Sequence, residues 1–383
     1  MQTTTLANPE SKNPLRLWRR LGDDNFVVPE LLKTKKIPSL DGFRAISILI
    51  VVFAHFRLTK NIPHWNYLVL NQLFQSGAAG VRFFFVISGF LITSLLLKEK
   101  IDTSVIDLRK FYVRRALRIF PVFYLYLVVS YGINIIFHMG IDPLCFVGPA
   151  LYLSNLNLFP QSWITGHSWT LSVEEQYYLA WPLLLKKLKG KSLYVALAIV
   201  LMSPFLRLFV YYHPAYTNSL LGAVFLHADA IFVGSIFSIL LFKGLIPMEK
   251  LMRFRLLINV ASALIIFVVY NSAHNERLGI LTIPFGPVIA AILMGLMILV
   301  NAQPSDNWFY RFLNNRIMTF VGKLSYSLYI WQQLFLVPSY ATGNVPTWGF
   351  FPLNLILAGL TAACSYFLFE RYFMKIKDRF KAI

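Results

Sequence analysis

Arg44 and His55 lie eleven residues apart in the apolar stretch DGFRAISILIVVFAHF, residues 41–56. At about 100° per residue, eleven steps bring a helix back to within about 20° of its starting direction. The guanidinium and the imidazole therefore share one helix face, about 16 Å apart along the axis. An imidazole with an ordinary pKa of about 6.5 suits proton transfer near neutral pH. Few other ionisable groups fall in apolar segments: Glu174 and Glu175 in HSWTLSVEEQYYLAWP (167–182), Arg207, Asp229 and Glu370. Such groups are costly inside a membrane and face a partner or a polar cavity. A carboxylate at the depth of His55 would orient the imidazole and stabilise its protonated form, and Glu174 is the candidate for that task. Mutual pairing of acids and arginines accounts equally well for Arg207 and Glu370, so their roles, and that of Asp229, stay open.

Two further stretches carry candidates. Ser88 and Gly89 follow an aromatic run in GVRFFFVISGFLITSLLL (80–97), where small residues let a helix or a ligand come close. The segment LRKFYVRRALRIFP (108–121), expected as the first cytoplasmic loop, holds Arg115 and Arg118 at RxxR spacing, with Arg114 alongside. That spacing sets two guanidinium forks side by side on a helix surface, fit for phosphate or for anionic lipid.

The elements that must position these residues follow from composition. The chain has 383 residues, 57% hydrophobic and only 14% charged, with mean hydropathy +0.60. A soluble domain is nearer one quarter charged, so an all-α, polytopic membrane protein is expected. Spans of about 20 residues fit ten segments: 40–58, 78–97, 117–137, 169–186, 192–212, 220–242, 256–272, 280–300, 318–337 and 350–370. The stretch 143–160 is short and Pro-broken, and reads as re-entrant or interfacial. The net charge of +19 sits between the apolar segments, which is a topology signal rather than a sign of nucleic-acid binding. Of the 36 Lys and Arg, 30 fall on one side if both termini are cytoplasmic. The expected organisation is a cytoplasmic tail (1–37), one transmembrane domain (38–372) and a short cytoplasmic tail (373–383). No secretory leader is expected, because residues 1–37 are polar and basic. Cys145 and Cys364 read as packing residues, with no metal-ligand spacing around them.

Taken together, LDGFRAISILIVVFAH (40–55), FFFVISGFLI (83–92), FYVRRALRIFP (111–121), SWTLSVEEQYYLAWP (168–182), DAIFVG (229–234) and GKLSYSLYIWQ (322–332) resemble the membrane acyltransferase-3 family of bacterial O-acyltransferases. Arg44 and His55 match its R-x10-H pair, Ser88 and Gly89 its FFxxSG-like motif, Arg115 and Arg118 its RxxR motif. Glu174 matches the carboxylate of its WSLSVE-like motif, with threonine at position 170 here. The family often has a histidine after the late tryptophan, where this chain has Gln332 after Trp331.

The resemblance implies transfer of an acyl group, often acetyl, from cytoplasmic acyl-CoA to a hydroxyl of an envelope carbohydrate, either free or lipid-linked. It implies a bacterial inner-membrane location and no permanently bound cofactor. On this reading Arg115, Arg118 and Arg114 hold the donor's phosphates, Glu174 holds His55, and Arg44 with Ser88 guides the donor or stabilises the thioester oxyanion. His55 either takes the acceptor's proton or is itself acylated. Some family members add a periplasmic hydrolase-like domain, and no second activity of that kind is expected here. Outer aromatics (Trp65, Tyr67, Trp163, Trp348) suit an interfacial belt or sugar stacking. A proton-coupled transporter, a glycan-export accessory and a macrolide-type acceptor remain the alternatives.

Overall fold

A computed structural model describes residues 21–33, 36–60, 62, 77–213, 216, 220–274, 279–341 and 347–380. Trp65 and Tyr67 lie outside the described residues. Each of the ten apolar segments falls on a helix: α1 (Leu40–Phe56), α2 (Ala78–Thr103), α3 (Leu108–Ile136), α4 (Ser168–Leu188), α5 (Ser192–Tyr212), α6 (Leu220–Phe242), α7 (Arg255–His274), α8 (Gly279–Asn301), α9 (Arg316–Phe335) and α10 (Leu353–Cys364). Among the described residues there is no strand. Six helical stretches are long and apolar enough to cross a membrane: Ala78–Thr103, Leu108–Ile136, Ser168–Tyr212, Arg255–Ser272, Thr282–Asn301 and Leu353–Phe380. Large apolar side chains cover the outside of the bundle, with Val128 70%, Leu264 61% and Leu368 81% exposed. Such a surface suits lipid and not water.

The segment 108–121 is not a loop. It forms the first turns of α3, and the reason is local. Asp107 caps the helix by accepting the Lys110 amide at 3.0 Å. That bond, first among several, holds the Asp107 carboxyl below its ordinary range. No helix breaker follows until Pro121, which the helix accommodates. The RxxR arginines are therefore fixed on a rigid face. The second helix also runs past its expected end, because Lys98, Glu99 and Lys100 are good helix formers. At the far end, α10 passes through a π segment, Ser365–Glu370, before Arg371–Lys377 resumes the α form.

The stretch 143–160 makes only short turns, Pro143–Phe146, Val147–Ala150 and Ser154–Leu156. It is clipped to α4 by the reciprocal amides of Asn155 and Gln176, at 2.9 and 3.0 Å. Residues 21–33, expected as part of a tail, run against the ends of α2 and α6. Val27 donates to the Phe242 carbonyl, Lys98 to that of Leu32, and Lys100 pairs with Asp24 at 2.5 Å.

Two close helix crossings set the frame. Helices α2 and α6 make the most extensive pair, and a Cβ at Gly89 would lie 1.8 Å from the Ile231 carbonyl oxygen. Across the same contact, a Cβ at Gly234 would meet the Val86 carbonyl at 2.1 Å. Helices α1 and α9 touch in the same way, Gly322 lying against the Asp41 carbonyl. So Gly89 of the FFxxSG-like motif and Gly234 of DAIFVG are backbone-contact residues. Gly132, by contrast, has nothing within 4 Å of the same added atom. Gly89→Ala should therefore destabilise by about 1–3 kcal/mol or more, while Gly132→Ala should be neutral or slightly stabilising. Thermal unfolding of the detergent-purified variants checks this, and equal melting temperatures would contradict the crossing.

Candidate active site

Five helices contribute one stripe each to a pair of adjoining chambers. The first is a narrow slot of about 90 Å³ lined by Arg44, Ser88, Arg115, Arg118, Glu174, Tyr178, Tyr326 and Tyr329, among others. The second, of about 300 Å³, is lined by His55, Trp163, His167, Trp169, Tyr329 and Gln333, among others. Val81, Thr170 and Tyr329 line both. The Tyr329 hydroxyl donates to the His167 carbonyl at 2.9 Å and shares a short bond with the Thr170 hydroxyl. These bonded hydroxyls form the partition.

The slot is strongly basic. Arg44, Arg115 and Arg118 are close enough to repel one another. Within ion-pair distance of them, among the described residues, there is only Asp41, 3.7 Å from Arg44. The Arg115 guanidinium lies over the Tyr178 ring at 4.6 Å, which aims it along the slot. Glu174 accepts a 2.8 Å hydrogen bond from Ser88. Three guanidiniums around one such carboxylate make an anion site that an incoming phosphate would relieve.

The predicted residues do not all meet. Arg44, Ser88, Arg115, Arg118 and Glu174 share the slot, whereas His55 lies beyond the partition. Glu174 is bound to Ser88 and not to His55. The groups that face His55 are Gln332 and the second imidazole, His167. Neither His55 Nδ1 nor the Gln332 amide completes a hydrogen bond among the described residues. Arg114 does not line the slot. Its guanidinium holds Glu99 at 3.2 Å and the Phe380 carbonyl at 2.9 Å, tying α3 to α2 and to the end of the chain. Ser172 is fully buried and bonded to Ser168 and Ser154, so it is structural.

Sequence reasoning missed His167, Tyr329 and Gln333. A signal existed. His167, Thr170, Glu174 and Tyr178 recur at helical spacing on α4, as do Tyr326, Tyr329 and Gln333 on α9.

A family of protein domains described as "Acyltransferase domain" matches residues 37–370 of this geometry's chain. The chain belongs to the acyltransferase-3 family. With its apolar helices, that membership makes it a multi-pass membrane protein. Among similar proteins, "Putative O-acetyltransferase SACOL0978" of Staphylococcus aureus (strain COL) is 28% identical over 367 residues, covering 90% of this chain and 58% of that one. The "O-acetyltransferase OatA" of Staphylococcus aureus (strain NCTC 8325 / PS 47) is 27% identical over 366 residues, covering 89% and 58%. The chain thus spans 58% of the length of these curated relatives. No solved structure matches it.

The charges at Arg82, Arg207, Asp229 and Glu370 are structural. Asp229, fully buried, takes Arg82 at 3.0 Å and Arg207 at 2.6 Å, and Arg207 also donates to the Pro284 carbonyl at 3.1 Å. One carboxylate thereby braces α2, α5 and α6, and Arg207 ties on α8. Glu370 accepts from Ser327 at 2.6 Å. Asp229→Asn removes the negative charge that two buried guanidiniums share and should cost about 3–5 kcal/mol. Arg207→Met keeps the Arg82–Asp229 pair and should cost clearly less. Melting curves in detergent decide this, and a D229N variant as stable as R207M would refute the brace.

Proposed function

We propose that the protein is a membrane O-acyltransferase that moves an acyl group, acetyl in the first instance, from acyl-CoA to a hydroxyl of a cell-envelope carbohydrate such as O-antigen or exopolysaccharide. The observation that carries this reading is the basic slot ending at a wall of hydroxyls, with the His55 imidazole, its Nδ1 unbonded, on the far side. An acyl-CoA has several negative charges at one end and an uncharged thin arm at the other. The slot offers guanidiniums at the Arg115–Arg118 end and a narrow passage toward Thr170 and Tyr329. On this account Arg115 and Arg118 hold phosphate, Arg44 steers the donor, and the Ser88–Glu174 pair keeps the arginine cluster aimed. The thioester carbonyl comes to the partition.

The acceptor hydroxyl attacks the thioester carbon from the His55 side. His55 takes its proton as the new C–O bond forms, the C–S bond breaks, and the departing thiolate recovers the proton from the imidazolium. A base so placed is worth about 10²–10⁴-fold in rate. The Thr170 and Tyr329 hydroxyl protons are held by the His167 carbonyl, and on this account one of them turns from it to the carbonyl oxygen as that oxygen gains charge.

The topology belongs to the same proposal: ten crossings, both termini in the cytoplasm, in the bacterial inner membrane. It is supported by the gathering of basic helix ends on one face. Lys186 at the end of α4 donates to the Ile106 carbonyl between α2 and α3, and Lys100 and Lys243 both reach the 21–33 segment. The acceptor then approaches from the opposite, outer face, free or carried on a lipid.

The test uses purified protein, radiolabelled acetyl-CoA and isolated envelope glycans. His55→Ala should lower acyl transfer by about 10²–10⁴-fold without weakening acetyl-CoA binding. Arg118→Ala should instead weaken donor binding, by about tenfold for one charged hydrogen-bond donor. Full transfer by H55A at normal abundance would overturn the mechanism. Stable label on Ser88 would move the chemistry into the slot.

A further inference from the structure

We propose that the larger chamber is the acceptor subsite and that it takes an uncharged, hydroxyl-bearing ring, gripped by His167 and Gln333. The inference rests on the acyltransferase reading for what happens next to His55, but the binding claim stands on the chamber itself.

The first observation is a set of buried polar atoms with no partner. His167 is 4% exposed, yet neither ring nitrogen is hydrogen-bonded. Its ring is held edge-on between Tyr126 and Tyr329, with centroids 5.2 and 5.4 Å away. Gln333 is 7% exposed. Its amide nitrogen donates to the Trp163 carbonyl at 2.6 Å, which fixes the side chain and leaves its carbonyl oxygen unbonded. His55 Nδ1 is likewise buried and unbonded. Buried polar groups are nearly always satisfied, so several orphans on residues that line one chamber point to a ligand that satisfies them after a small turn of each side chain toward it. An imidazole nitrogen and an amide oxygen accept hydrogen bonds, and a second imidazole nitrogen donates one. That mixture fits hydroxyl groups, which do both.

The second observation is charge. The slot has three arginines and a glutamate among its lining residues. Among the described residues, no Asp, Glu, Lys or Arg lines the larger chamber. A carboxylate or phosphate placed there would lose its hydration and meet no fixed cation, only two imidazoles that are mostly neutral at neutral pH, given their ordinary pKa of about 6.5. Trp163 and Trp169 line the same space and offer flat apolar faces to a ring. The chamber is also about 300 Å³ against about 90 Å³ for the slot, room for a ring on one side and a chain on the other. The reacting unit is therefore a neutral sugar residue, and any phosphate or acidic sugar of the acceptor lies outside the chamber.

The test is saturation-transfer NMR on the full chain in nanodiscs, with methyl hexopyranosides and the matching methyl uronates as probes. Acetyl-CoA binding is measured on the same samples. The neutral glycosides should receive saturation and the uronates about tenfold less, as expected for a site that cannot compensate a charge. His167→Ala and, independently, Gln333→Leu should remove most of the neutral signal while acetyl-CoA binding persists, which shows that the fold is intact. Equal signals from neutral and acidic rings, no signal from the neutral ones, or signals indifferent to both variants would overturn the subsite. Sugar binding without acetyl-CoA binding in the wild type would leave the subsite standing and remove the acyltransferase reading instead.

Discussion

The crowding of Arg44, Arg115 and Arg118 is the constraint on which the rest of the arrangement depends. Like charges at close range in a poorly hydrated interior repel strongly, and each guanidinium gives up hydration to be there. Such a cluster persists only if rigid helices hold it and an anion completes it. The helices are held by contacts that tolerate no slippage. Backbone meets backbone at Gly89 and Gly234 and again at Gly322. The Arg82–Asp229–Arg207 brace fixes three helices with a single carboxylate, and Arg207 ties on a fourth through the Pro284 carbonyl. In the proposed reaction the anion is the donor's phosphates. On that proposal, binding energy collected at the phosphates is available to push an uncharged thioester toward the partition.

The partition separates two chambers of different chemistry. On one side the walls are charged, on the other they are neutral and aromatic. Tyr329 and Thr170 belong to both, and their hydroxyls are bonded to each other and to the backbone of His167. The same residue that bounds the donor slot thus positions the loop end carrying the second imidazole. In the proposed reaction this keeps donor and acceptor apart until both are seated, which protects the thioester from water.

Much of this was legible in the sequence. The shared face of Arg44 and His55 follows from eleven residues at helical spacing, and the structure keeps them on one helix facing successive chambers. Apolar lengths placed all ten helices to within a few residues, except where charged helix formers prolonged α2 and the Asp107 cap started α3 early. What failed was partner choice between helices. Glu174 was assigned to His55, but the rotation of α4 turns it to Ser88 and brings His167 round instead. Spacing along one chain says which side chains share a face, not which face meets which neighbour. Arg114 looked like its neighbours until Glu99 and Phe380 claimed it. Gln332 looked like a lost histidine, yet its amide still faces His55.

The most direct measurement is an experimental structure, by cryo-electron microscopy, of the protein with a non-transferable acetyl-CoA analogue in which a methylene replaces the thioester sulfur. The account predicts phosphates against Arg115 and Arg118, the arm along the slot past Ser88, and the acyl carbonyl at Thr170 and Tyr329 with its far face toward His55. An analogue seated in the larger chamber, or one whose acyl carbon lies at Ser88 with the partition out of reach, would contradict it.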